Sequence, residues 1–149
     1  MTVIKQEDLI QSIADALQYI SYYHPTDFIR AMRQAWEQEE SPAAKAALTQ
    51  VLVNSRMCAI GKRPICQDTG IVNVLISVGM QVQWDAALSL EDMINEGVRR
   101  GYTHPDNVLR GSVLTDPHGA RANTKDNTPA VIHTKIVAGD TAEVEVAAK

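Results

Sequence analysis

The sequence has little of several things, and each shortage excludes something. It has two cysteines in 149 residues, too few for a disulfide framework and in keeping with thiols held reduced in a cytoplasmic compartment. It has no basic excess: 14 Lys and Arg against 18 Asp and Glu give a net charge of -4, which argues against a non-specific nucleic-acid binder. It has no long apolar run. Stretches such as Ile71–Val72 and Val74–Leu75–Ile76 are far too short to cross a bilayer. The N-terminus lacks the basic and then apolar regions of a signal peptide, and it is acidic early and poor in Arg, unlike a transit peptide. A glycine-rich phosphate loop and a nucleophile-elbow motif are both missing, as are internal repeats and low-complexity tracts. What is present is 45% hydrophobic residues, enough for a packed core and too many for intrinsic disorder. The length suits one domain, or part of a longer protein.

The order of patterns along the chain predicts an α+β fold, with N-terminal helices followed by a small, mostly antiparallel sheet carrying a packed helix. Residues 1–62 read as helical. Leu9, Ile10, Ile13, Leu17 and Ile20 form one stripe at three- and four-residue spacing, broken at His24–Pro25. Phe28, Ala31, Met32, Ala35 and Trp36 give a second helix one apolar face. Ser41–Pro42 is a helix start, a hydroxyl N-cap before a proline at the first helical position. Leu48, Val51, Leu52 and Ser55 line this third helix, and Gly61 is its expected stop.

Residues 63–149 read as α+β. Ile71 to Val78 is a β-branched and aliphatic run that suits a strand covered on both faces. Ser89-Leu-Glu-Asp92 resembles a capping box opening a fourth helix with Met93, Ile94 and Val98, with a stop expected at Gly101. From Tyr102 to Pro129 there is little periodicity and much Asp, Asn, Thr, Pro and Gly, a composition of functional or disordered loops that Asx-type turns can order. Ala130–Val137 and Ala142–Ala147 flank a hairpin-type turn at Gly139–Asp140. Glu143 and Glu145 alternate with Val144 and Val146, so the last strand has a wet and a dry face.

The densest chemistry lies in Arg63-Pro-Ile-Cys-Gln-Asp-Thr-Gly70, between a helix end and a strand start. Cys66 as thiolate can be a metal or cluster ligand or a nucleophile. Gln67 offers a donor and an acceptor, and Asp68 can serve as base, ion-pair partner or metal ligand. Gly70 allows a turn or a close approach. The plainer reading is a buried Cys before an ordinary Asp-Thr-Gly turn. Cys58, eight residues earlier, lacks the spacing of a metal knuckle and reads as a small buried residue. His24, His104, His118 and His133 are scattered and make no ligand pair at helical spacing. Arg99, Arg100, Arg110 and Arg121 fall near the Asn123–Pro129 loop. An Arg fork can hold a carboxylate through two parallel hydrogen bonds, although a solvated charge is the commoner role.

Arg63 to Gly70 resembles the cluster-cysteine motif of the iron–sulfur-dependent class I fumarate hydratases and the related L-tartrate dehydratases. Asn123-Thr-Lys-Asp-Asn-Thr-Pro-Ala130 is similar to the family's Asn-Thr loop. Val144-Glu-Val-Ala-Ala-Lys149 is similar to the strand leading into its glycine-rich active-site loop. The resemblance implies a hydro-lyase that reversibly interconverts L-malate and fumarate on a 4Fe–4S cluster held by three cysteines, whose fourth iron binds the substrate.

By position, the resemblance makes Cys66 the first cluster ligand. It places Gln67 and Asp68 in the substrate site, with Asp68 near the proton transfer, and assigns Arg110 to a substrate carboxylate, with Arg100 as the fallback. It also implies that the other two cluster cysteines lie beyond Lys149. Residues 1–149 would then be the N-terminal part of the iron–sulfur domain, inactive alone, with the rest of the enzyme and a small dicarboxylate as partners and a homodimer as the full-length state. Nucleic acid and membrane are not expected partners. The close alternative is the alpha subunit of an L-tartrate dehydratase. An alternative of another class is a binding or regulatory module that kept the fold without the chemistry.

Overall fold

The computed structural model describes residues 2–66 and 70–148. The chain forms two compact units, one of residues 1–18 and 68–149, the other of residues 19–67. Its elements in order are β1 (Val3–Lys5), α1 (Gln6–Tyr22), α2 (Thr26–Gln38), α3 (Pro42–Gly61), β2 (Val72–Gly79), β3 (Gln83–Asp85), α4 (Leu90–Tyr102), β4 (Val131–Val137) and β5 (Ala142–Ala148). The α+β expectation holds.

The first unit is built around β2. Val72, Val74, Ile76 and Val78 alternate along it and are buried, in one cluster with Leu9, Ile10, Ile13 and Leu17 of α1 and Met93, Ile94, Val98 and Tyr102 of α4. Burying each such aliphatic side chain contributes about 1.5–3 kcal/mol. The stripe expected on α1 is present up to Leu17, whereas Ile20 is exposed. The two helices carry a close approach at Gly97, where a Cβ would lie 2.8 Å from the Ile10 carbonyl oxygen and 2.8 Å from Ile13 Cβ. A larger residue there collides with backbone, which cannot rotate away.

Two sequence expectations for the sheet are corrected. β2 is covered on one face only: Leu75 is 45% exposed, and its neighbours on that side, Asn73 and Ser77, are polar and half-buried. The apolar run Ile71–Val78 was therefore interrupted on alternate positions, as a strand with one wet face requires. The hairpin at Gly139–Asp140 is split. The strand order is β4-β2-β5, with β4 parallel to β2 and β5 antiparallel to it. β4 and β5 thus run antiparallel with β2 between them, and the sheet is mixed. The turn closes over the end of β2: Gly79 N donates to Thr141 O at 2.8 Å, Met80 N to Val137 O at 2.9 Å and Gln81 N to Gly139 O at 2.9 Å. Gly139 takes a φ of +106°, a conformation natural only to glycine. The wet and dry faces of β5 are as expected, with Val144 and Val146 packed against the core and Glu143 and Glu145 exposed. A second, two-stranded parallel sheet pairs β1 with β3.

The N-caps follow the sequence reading. Ser41 Oγ accepts from Ala44 N, with Pro42 as the first helical residue. Ser89 Oγ accepts from Asp92 N at 3.1 Å and donates to the Asp92 carboxylate at 2.7 Å. The stops lie slightly later than expected. Gly61 is the last residue of α3, and Lys62 supplies the left-handed cap with φ +48°. Gly101 lies inside α4, which ends at Tyr102.

In the second unit α2 packs along α3 through Trp36, whose Nε1 donates to Thr49 Oγ1 at 2.8 Å while Lys45 Nζ sits 4.6 Å from its ring centroid. His24 stacks on Phe28 and meets Ser55 Oγ at 3.0 Å. The apolar face expected on α2 is present but not buried: no residue of this helix is buried, and Phe28 and Trp36 are both exposed. Periodicity marks which side of a helix is apolar, not whether something covers it.

Candidate active site

The approach to Cys66 is fixed by α3. Lys62 and Arg63 both donate their backbone N–H to Cys58 O. Asn54 Nδ2 donates to Ile65 O at 3.0 Å, and Ile65 N donates to Ser21 O at 2.8 Å. The Cys58 thiol is buried and lies 3.5 Å from Pro64 O and 3.7 Å from Asn54 Oδ1. Cys66 is exposed, and neither thiol is in a disulfide. Cys58 is packed as expected, and the plainer reading of Cys66 as a buried thiol is overturned. Gln67 and Asp68, assigned to the substrate site, lie outside the described residues.

The segment from residue 103 to residue 129 has almost no regular structure, yet side chains pin it at several points. The first is a buried amide pair. Asn107 Nδ2 donates to Gln18 Oε1 at 2.9 Å, and Gln18 Nε2 donates to Asn107 O at 2.9 Å and Gly101 O at 2.7 Å. Leu109 is buried, and its N–H donates to Tyr102 O at 3.0 Å. Arg110 follows directly and is exposed. A buried residue thus sets the position from which the proposed carboxylate-binding arginine departs.

Beyond Arg110, an antiparallel bridge joins Leu114 to Asn123. The turn at its tip is built on Asp116, whose carboxylate accepts from Gly119 N at 2.8 Å and Ala120 N at 3.2 Å. Those backbone donors hold the carboxyl below its ordinary range by favouring its charged form. Asn123 clamps the same segment, donating to Gly111 O at 2.8 Å and accepting from Lys125 N at 2.7 Å.

Asn127 and Asp126 are the residues that sequence reasoning missed. Asn127 is fully buried with φ +60°. Its Oδ1 accepts from Ser112 N at 2.7 Å and Val113 N at 3.2 Å, and its Nδ2 donates to Gly70 O at 2.9 Å. Asp126 accepts from Thr128 N and Thr128 Oγ1 and pairs with Arg99 Nε at 3.0 Å. Burial raises the Asp126 pKa, but the Thr128 hydrogen bonds and the Arg99 charge outweigh it, so the carboxyl titrates below its usual range. The only advance signal was the composition of the loop. Asn tolerates the left-handed region better than other non-glycine residues, and Asx side chains order turns.

Arg99 and Arg100 are engaged in ion pairs. Arg99 binds Glu96 at 2.6 Å as well as Asp126, and Arg100 binds Glu96 at 2.9 Å and also Glu7. The hydrogen bond from Arg100 leads the effects that depress the Glu96 pKa against the opposing cost of burial. Arg100, the fallback for substrate binding, is thus already bridged to two carboxylates.

The described residues do not by themselves fit an iron–sulfur cluster. They offer one exposed thiol, and no group of three or more His, Cys, Asp or Glu side chains among them is placed to hold a metal ion. Clusters need several thiolates. No helix among the described residues is long and apolar enough to cross a membrane.

Comparison with known proteins gives the family. The sequence model of the family described as fumarate hydratase (Fumerase) matches residues 10–149. A curated protein of Methanocaldococcus jannaschii with the provisional name L(+)-tartrate dehydratase subunit alpha is 25% identical over 88 residues, which cover 59% of this chain and 31% of that protein. The chain thus spans about a third of the length of the curated relative it matches. With nearly its whole length matched by the family, from the first helix to the last strand, this chain belongs to the fumarate hydratase family.

Proposed function

We propose that this chain is the N-terminal part of the iron–sulfur domain of a hydro-lyase that reversibly interconverts L-malate and fumarate. The observation that carries the reading is the family match over residues 10–149, which contains both Arg63–Gly70 and the Asn123–Ala130 loop. Cys66 is one ligand of a 4Fe–4S cluster whose remaining ligands lie outside these residues. Its exposure supports this role, because a ligand must be presented and not packed. Gln67 and Asp68 line the substrate site, with Asp68 near the proton transfer. Arg110 holds a substrate carboxylate, and the guanidinium fork matches that group geometrically. Its departure from a buried Leu109 gives the fork a fixed origin, and fixed origins let binding energy orient a substrate.

The second reading is an L-tartrate dehydratase alpha subunit, favoured by the M. jannaschii relative. Both are hydro-lyases acting on four-carbon hydroxy-dicarboxylates, and turnover separates them. The complete enzyme, handled without oxygen, should form fumarate from L-malate and L-malate from fumarate, with L-tartrate a poor substrate. Preferential turnover of L-tartrate would transfer the assignment to the second reading. Turnover of none of the three would remove both. The chain alone should assemble no stoichiometric cluster and show no hydratase activity, as iron and sulfide analysis after anaerobic reconstitution would check.

A further inference from the structure

We propose that Asn127 is a positioning residue, whose carboxamide sets the spacing between the Gly70 end of the Arg63–Gly70 motif and the segment that carries Arg110. The inference rests on the hydro-lyase reading for what is positioned, and on geometry for how. Three features distinguish Asn127 from an ordinary loop asparagine. It is completely buried, whereas Asn123, four residues earlier, is exposed. Each end of its side chain is committed to a different segment: the oxygen to Ser112 N and Val113 N, the nitrogen to Gly70 O. Apart from a long contact from Ser112 Oγ at 3.4 Å, the partners are backbone groups, so the carboxamide chiefly fixes main-chain positions.

The residues so connected are 57 apart in sequence at one end and 15 at the other. Asn123 and Thr124 hold the same segment from its other side, through Gly111 O and Val113 O, so the backbone following Arg110 is restrained from both flanks. A neutral carboxamide suits this place. It supplies an NH2 donor and a carbonyl acceptor without adding a charge to the loop.

The side chain's two ends can be separated by substitution. Asn127→Gly keeps a backbone that tolerates φ +60° and deletes the whole clamp. Asn127→Asp keeps the acceptor for Ser112 and Val113 but replaces the donor to Gly70 with an acceptor. In the complete enzyme, Asn127→Gly should speed amide hydrogen exchange at Ser112 and Val113 tenfold or more and raise KM for the dicarboxylate, as the Arg110 segment loosens. Asn127→Asp should leave that exchange near wild type and lower kcat tenfold or more, as the motif loses its hold at Gly70. Unchanged exchange in Asn127→Gly would overturn the proposal, as would kcat and KM within twofold of wild type in Asn127→Asp. If one variant fails to fold, the other decides. If neither folds, the role is structural and the proposal is wrong. If the wild-type enzyme turns over no dicarboxylate, the functional reading fails separately, and the exchange data alone decide whether the clamp exists.

Discussion

Gln18 and Asn107 are joined twice: Asn107 Nδ2 donates to Gln18 Oε1, and Gln18 Nε2 donates to the Asn107 backbone carbonyl as well as to that of Gly101. Both are buried, and the pair joins α1 to the loop 89 residues further on. A buried polar group left without its partner costs about 1–3 kcal/mol. Gln18→Ala and Asn107→Ala should each destabilise the fold by about that amount. The double variant should cost less than the sum, because either substitution alone already breaks the one bond between the two side chains. Urea unfolding of the four proteins gives the cycle, and strictly additive losses would refute the coupling.

Gly97→Ala sets helix propensity against packing. Alanine in an exposed helix interior gains up to about 1 kcal/mol over glycine. Here its methyl would lie 2.8 Å from the Ile10 carbonyl oxygen, and overpacking costs about 1–3 kcal/mol. The net effect should be destabilising, seen as a lower thermal midpoint. A rise would mean that α1 and α4 separate more easily than their contact suggests.

Acid should weaken the anchoring of the loop to α4. Glu96 and Asp126 have folded-state pKa values below the ordinary values of 4.5 and 3.8 for these side chains. A depressed carboxyl contributes stability that is fully present above its unfolded pKa and is lost as pH falls through the folded value. The contribution should therefore be constant near neutrality and decline from about pH 4.5 downwards. The arginine partners are half-exposed, so salt screens the pairs and the effect is modest. Glu96→Gln should flatten the acid limb of stability against pH, and the difference from wild type should shrink in high salt.

The two thiols should differ in reactivity. A maleimide or disulfide reagent should label Cys66 in the native protein and reach Cys58 only in denaturant, because Cys58 is 6% exposed and packed against Asn54 and Pro64. Mass spectrometry should find one label natively and two in urea. Native labelling of both would contradict the packed position of Cys58.

Local signals in the sequence were good guides where the structure is local. The caps at Ser41 and Ser89, the stripe Leu9–Leu17 and the alternation of Glu143 and Glu145 with their valines are all set within a few residues. The burial of Cys58 inside a helix was legible in the same way, whereas the exposure of Cys66 goes against the plainer reading of a buried thiol. Partnering was not legible. The residues around Gly139–Asp140 carry the pattern of a hairpin whether or not another strand lies between its arms. Asn127 looked like any loop amide because its partners at Gly70, Ser112 and Val113 are chiefly backbone groups, which leave no trace in side-chain composition.

The split hairpin has a consequence for how the chain is made. β2 is the central strand, yet both its neighbours come from residues 131–148, some sixty positions later in synthesis. Until those residues emerge, a run of β-branched residues has two unpaired edges. Contacts so distant in sequence form slowly, and open strand edges invite pairing with other chains. The newly made N-terminal portion is therefore the stage at which this polypeptide most needs shelter, and truncation before residue 131 should yield aggregation, not a smaller soluble domain.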